Sequence, residues 1–131
     1  MISTADRLEI HELLALHGFL ADEGRFEDLD KLLTADAVYD VSDFGLGRVV
    51  GLDAIRTLWE GGSGEAPAGH HVTNVMVTDH PDGSVTVRSK GIAVMAAGGS
   101  GTVVYEDVVT RTEGGWRIAR RKVVGRTQPD Q

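Results

Sequence analysis

The chain contains no cysteine. Disulfides, thiolate metal sites and a cysteine nucleophile are therefore excluded. No apolar run approaches the ~20 residues needed to span a bilayer. The opening residues, MISTADRLEIHE, lack the basic, then apolar, then small-residue order of a signal peptide. The expectation is a cytoplasmic protein with no membrane partner. Positive charge is also scarce, since 13 basic residues stand against 20 acidic ones for a net charge of −7. That balance favours solubility and argues against nucleic acid or anionic lipid as a partner. The local exception is Arg117, Arg120, Arg121, Lys122 and Arg126, which fall on both faces at strand spacing and read as solvated edges.

Familiar chemical motifs are missing too. The histidines and acids do not have zinc-site spacing and there is no HExxH, so no metal is expected. Gly45-Leu46-Gly47 and Gly98-Gly99-Ser100-Gly101 lack the strand-to-helix context of a nucleotide loop, and no GxSxG elbow supports a serine triad. The expectation is a protein that works without a cofactor.

What is present is the composition of an ordinary globular protein, 41% hydrophobic and 25% charged over 131 residues. That is one domain's length, and residues 1–131 read as one domain with a tail frayed after about residue 125. Ser3 or Thr4 can cap a first helix, and Ile10, Leu13, Leu14, His17 and Ala21 form its buried stripe up to a stop at Gly24. Phe26 to Leu33 reads as a short second helix. A strand over Ala37 to Val41 and a short one within Gly45 to Gly51 follow. A third helix starts at Asp53, with Ile55, Leu58 and Trp59 on its apolar side, and Gly61 to Gly69 reads as a mobile loop. From His70 onward four strands joined by short turns predict an antiparallel meander. Helices segregated from an antiparallel sheet define the α+β class.

The ordered set "IHELLALHGFLADEGRFEDLDKLLTADAVYD", "GLDAIRTLW", "GHHVTNVMV" and "YEDVVTRTEGGWRIARRKV" spans nearly the whole chain. It resembles the SnoaL-like branch of the nuclear transport factor 2-like superfamily. The resemblance implies a cone-shaped α+β barrel, three N-terminal helices on a strongly curved, mostly antiparallel sheet. It also implies homodimers or higher oligomers and varied chemistry. Relatives include polyketide cyclases, scytalone dehydratase, bile-acid dehydratase, ketosteroid isomerase and limonene-epoxide hydrolase, and others with no enzyme activity. Fold alone does not choose among them.

Dehydratases of the family use an aspartate near the end of the first helix and a histidine opening the first long strand, often with a tyrosine five residues before the aspartate. The resemblance places the aspartate at Asp22 and the histidine at His70, with His17 where the tyrosine would stand. A histidine can also donate and accept protons. Strand alternation sets His70, Val72, Asn74 and Met76 on one face and His71, Thr73, Val75 and Val77 on the other. Both faces carry apolar residues, so alternation leaves His70 and His71 open. The family register, with the histidine four residues before Asn74, favours His70. Trp59, Asn74 and Tyr105 join His17 as candidate pocket residues. A solvated surface role for Asp22, a core role for His17 and a purely packing role for Tyr105 or Trp59 are the competing readings. On an ideal helix His17 and Asp22 lie about 140° apart, so both reach one cavity only if the last turn loosens.

A carboxylate beside an imidazole fixes its tautomer and makes a base suited to removing a proton α to a carbonyl. The reading is a cofactor-independent lyase or isomerase for a small, largely apolar carbonyl compound. The alternative is a ligand-binding or dimerisation domain of the same fold with no catalysis. A homodimer is expected through the sheet face away from the helices, carrying Val75, Val77, Val104 or Val108.

Overall fold

The computed structural model describes residues 1–62 and 67–125. The first helix begins with a reciprocal cap. The Ser3 hydroxyl accepts the Asp6 backbone N–H at 3.0 Å, and the Asp6 carboxylate accepts the Ser3 N–H at 2.9 Å. Two of the donors that a helix start leaves unpaired are thereby satisfied. Helix α1 then runs over Thr4–Asp22 and buries Ile10, Leu13, Leu14, His17 and Leu20. Leu20 is buried as well, and Ala21, expected on the stripe, is half-buried because it borders a cavity. Gly24 follows the cap residue Glu23 in the left-handed region, φ 65°, where glycine meets no steric penalty.

A 3-10 turn over Phe26–Lys31 leads into β1 (Leu33–Asp40), a second 3-10 turn (Ser42–Phe44), β2 (Arg48–Val50) and α2 (Leu52–Glu60). Four long strands follow: β3 (Pro67–Asp79), β4 (Val85–Met95), β5 (Ser100–Thr112) and β6 (Gly115–Gly125). The second expected helix is thus a 3-10 turn, and the expected loop over Gly61 to Gly69 already becomes strand at Pro67. Its residues 63–66, Arg126 and the tail beyond residue 125 lie outside the described residues. Among the described residues no helix is long and apolar enough to cross a membrane.

The sheet order is β2-β1-β6-β5-β4-β3, with β1 parallel to β6 and every other pair antiparallel. The sheet is curved but unclosed, so β2 and β3 are edges and the expected cone is not a closed barrel. Both α-helices and the first 3-10 turn lie on one face. Ile10, Leu14, Leu20, Leu29, Ile55, Val87 and Ile118 form the centre of the core between them and the sheet.

Two bulges decide which side chains face that core. In β3 the pairing with β4 shifts between Thr73 and Met76, and Asn74 sits there at φ 54°. An extra residue reverses the inward parity of everything beyond it. His70 and Val72 point inward before the bulge, Val75 and Val77 after it. In β6 the shift opposite Val108 and Val109 does the same, moving the inward set from Trp116 and Ile118 to Arg121 and Val123.

Three expectations are corrected as a result. Asn74 is exposed on the outer face and is not a pocket residue. Val75 and Val77 face the helices, so they cannot contribute to an outer-face dimer contact. That face carries Val108, with Met76 and Val94 also exposed on it. Arg121 is not a solvated edge, since it is 1% exposed and gives the Asp107 carboxylate two hydrogen bonds, 2.8 and 2.9 Å long.

Burial works against the Arg121 charge, and the Asp107 carboxylate more than offsets it, so the guanidinium stays protonated. Its plane also lies 4.0 Å over the Tyr105 ring. Removing one member of such a pair strands the other without a partner. Asp107→Ala should therefore lower the unfolding free energy by about 3–5 kcal/mol, while Asp107→Leu combined with Arg121→Met should cost far less. Urea-unfolding midpoints measure both; equal losses would contradict the pairing.

Candidate active site

The site is built where α1 crosses β3. A Cβ on Gly18 would lie 2.5 Å from the His70 carbonyl oxygen, closer than any side chain tolerates, so only glycine permits this approach. One turn further along, Asp22 reaches the same residue with both carboxylate oxygens. Oδ2 accepts the His70 backbone N–H at 2.9 Å, and Oδ1 lies 2.6 Å from His70 Nδ1.

An ionised carboxylate can only accept, so the short contact requires the proton on Nδ1. Nε2 is then left as the unprotonated nitrogen. Both side chains are about a quarter exposed, which leaves them reachable while partly screened from bulk water.

The ring edges a cavity of about 950 Å³ lined by His17, Ala21, Asp22, Phe26, Tyr39, Leu46, Thr57, Leu58, Trp59, Gly61, Gly62, Pro67 and His70. Its walls are mostly apolar, with Asp22 and His17 the polar groups next to His70, a composition usual for a small-molecule site. His17 and Asp22 both line it although α1 remains helical through Asp22. No loosened turn is needed. His17 belongs to the buried stripe, Asp22 stands at the helix end, and the cavity wraps from one to the other.

Trp59 organises the aromatic wall through edge contacts to His17 (5.0 Å between ring centroids), Phe26 (6.0 Å) and Tyr39 (6.2 Å). Tyr105 does not line this cavity. It borders a separate water-sized space of about 20 Å³ beside His17 and His70. Its ring lies on Gly91, where a Cβ would come within 2.4 Å of Tyr105 Cε2.

Burial, then Arg121, then His70 hold the His17 imidazole well below its ordinary proton affinity, so it is neutral. Burial likewise raises the Tyr105 and Tyr39 hydroxyls, keeping both protonated.

The structure therefore brings together Asp22, His70, His17 and Trp59, sets Tyr105 just behind them, and leaves out Asn74. His71 points outward and is exposed, which resolves the choice between the two histidines. Phe26, Tyr39, Leu46 and Leu58 were missed as pocket residues. The aromatic ones had a signal in their position beside the first helix and first strand; Leu46 sits in a turn that carried none. Among the described residues no group of three or more histidine and acidic side chains could hold a metal ion.

A SnoaL-like domain model matches residues 3–122. The chain belongs to the SnoaL-like domain family. An uncharacterized protein of Mycobacterium tuberculosis is 34% identical to it over 139 aligned positions, covering 92% of this chain and 88% of that protein. An NTF2-like protein with a cystatin-like fold from Novosphingobium aromaticivorans is 31% identical, with a TM-score of 0.77 over 91% of this chain and 80% of that one. A candidate scytalone dehydratase from the same organism is 22% identical, with a TM-score of 0.71 over 92% and 87% of the two chains, a likeness of fold.

In this SnoaL-like domain the helix–strand crossing is the feature most sensitive to a single methyl group. Gly18→Ala must push α1 off β3, at a cost of about 1–3 kcal/mol, and must lengthen the Asp22–His70 contact. Thermal unfolding should show the loss, and the His70 Nδ1–H proton resonance should move upfield. An unshifted resonance would contradict the crossing.

Proposed function

We propose that this SnoaL-like domain is a cofactor-independent lyase or isomerase for a small, largely apolar carbonyl compound, with His70 as its base and Asp22 as the group that orients it. The observation that carries this reading is the two-point hold of Asp22 on His70, 2.9 Å to the backbone and 2.6 Å to Nδ1, at the edge of the cavity. A surface aspartate serving only solubility has no need of that geometry.

Nε2 of His70 takes the proton α to the carbonyl, and Asp22 stabilises the imidazolium that forms. Returning the proton elsewhere on the substrate gives isomerisation. Loss of a β-hydroxyl, protonated by the same imidazolium, gives dehydration. The apolar lining excludes water from the intermediate and selects ligands by shape. The cavity is open and large, which favours this reading over a binding-only domain whose interior is filled by side chains.

The test is proton exchange α to a ketone in D2O, read by proton NMR with 2-tetralone and cyclohex-2-enone as probes. Wild-type protein should exceed the buffer rate. His70→Ala should fall to background, Asp22→Asn should fall by about 10²-fold or more as the imidazole loses its charged partner, and His71→Ala should match wild type. Exchange in His70→Ala at the wild-type rate would sink the reading.

A further inference from the structure

The turn between β1 and β2 is held in one shape, yet it keeps a large apolar side chain out of the core. The Val41 N–H donates to the Gly47 carbonyl at 2.9 Å, which closes the base of the turn. The Phe44 and Leu46 N–H groups both donate to the Val41 carbonyl, at 3.0 and 3.3 Å. Gly45 and Gly47 flank Leu46 in the left-handed region, at φ 77° and 70°, which costs glycine nothing. From outside, the Asp43 carboxylate accepts the Gly125 N–H at 3.1 Å, and the Phe44 ring rests on Gly125. Leu46 is 57% exposed in this fixed place. Single exposed apolar residues are common on any protein surface. Leu46 differs from Met76 and Val94 on the outer face because it lines the cavity.

Its place is at the far side of that cavity from the acid–base pair. His70 stands on β3, Leu46 follows β1, and β6, β5 and β4 lie between those two strands in the sheet. Strands are spaced ~4.8 Å apart, so a ligand touching both residues crosses the width of a curved sheet. The wall between them carries Trp59, Phe26, Tyr39 and Leu58. Among the described residues that line the cavity, Asp22 is the one carboxylate, beside His70, and there is no lysine or arginine.

We propose that Leu46 is a specificity-determining residue, which packs on the far, apolar end of an elongated, uncharged ketone whose carbonyl lies at His70. The proposal rests on the reading of His70 as the base and adds the shape and charge of the substrate. Folding leaves the Leu46 side chain in water, so its apolar area is removed from water only when a ligand covers it. A lip already fixed by its own hydrogen bonds loses little freedom on being covered. A ketone that ends short of the lip forgoes that contact. One that ends in a carboxylate loses water against leucine with no cation to receive the charge.

Calorimetric binding of 2-heptanone, 2-nonanone and 2-undecanone tests the assignment, with 10-oxoundecanoate as a ligand of equal length that carries a carboxylate at the far end. Wild-type affinity should rise about fourfold per methylene, and 2-undecanone should bind more tightly than 10-oxoundecanoate. Leu46→Ser, at a position the core does not use, should fold and should lose about tenfold for 2-undecanone, flattening the rise. Leu46→Lys should reverse the preference in favour of 10-oxoundecanoate. Val94→Ser, which removes an exposed apolar residue from the outer face, should keep the wild-type series. A series unaltered in Leu46→Ser, a preference unreversed in Leu46→Lys, an equal loss in Val94→Ser, or wild-type affinity independent of chain length overturns the assignment. Loss of 2-tetralone exchange in His70→Ala alongside an unaltered series in Leu46→Ser would keep the base and remove the lip. A flattened series in Leu46→Ser with exchange surviving in His70→Ala would keep the lip and remove the base.

Discussion

Everything in this molecule turns on one close approach, that of helix α1 to strand β3 at Gly18. With no side chain between them, the helix backbone sits against the His70 carbonyl. That contact sets the height of the helix over the sheet. It brings Asp22 within reach of both the backbone and the ring of His70, and it places His17 on the same cavity from the buried side. A larger residue at 18 would tilt the helix and part all three groups together. The Asp22–His70 contact is thus a consequence of how α1 packs on β3.

The second organising feature is electrostatic. Beneath the cavity, Arg121 and Asp107 neutralise each other in a dry environment under the Tyr105 ring. Such a pair seldom adds net stability over an apolar replacement, so its presence in the core invites a functional account. It surrounds His17 with a fixed cation and a low dielectric, and both disfavour the imidazolium. One histidine is thereby oriented by a carboxylate and the other kept neutral by burial. Two chemically identical side chains thus stand in different electrostatic settings.

Much of this was legible in the sequence. The order of helices, short strands and meander gave the class. The family pattern pointed to Asp22, His70 and His17, and Trp59 was a candidate from the apolar side of its helix; all four border one cavity. What stayed hidden has a common physical cause. Alternation in a strand predicts facing only while the pairing is regular, and β3 and β6 each carry a bulge. Asn74, Val75 and Val77 were assigned to the wrong faces because the β3 bulge sits at Asn74 itself. Arg121 was taken for a solvated edge because the β6 bulge turns it inward, opposite an aspartate that only the register reveals. Leu46 reaches the cavity from a turn, where periodicity says nothing. A carboxylate is unfavourable at a helix C-terminus, and the two contacts of Asp22 to His70 offset that position.

The central claim is that Asp22 fixes the His70 ring with its proton on Nδ1, leaving Nε2 as the base. Nitrogen-15 NMR of histidine-labelled protein reads this directly, since protonated and unprotonated ring nitrogens resonate far apart. The account predicts the Nδ1–H tautomer at His70 in the wild-type protein, and a shift toward a mixture of tautomers in Asp22→Asn. A His70 ring carrying its proton on Nε2 in the wild type, or one indifferent to Asp22→Asn, would contradict it.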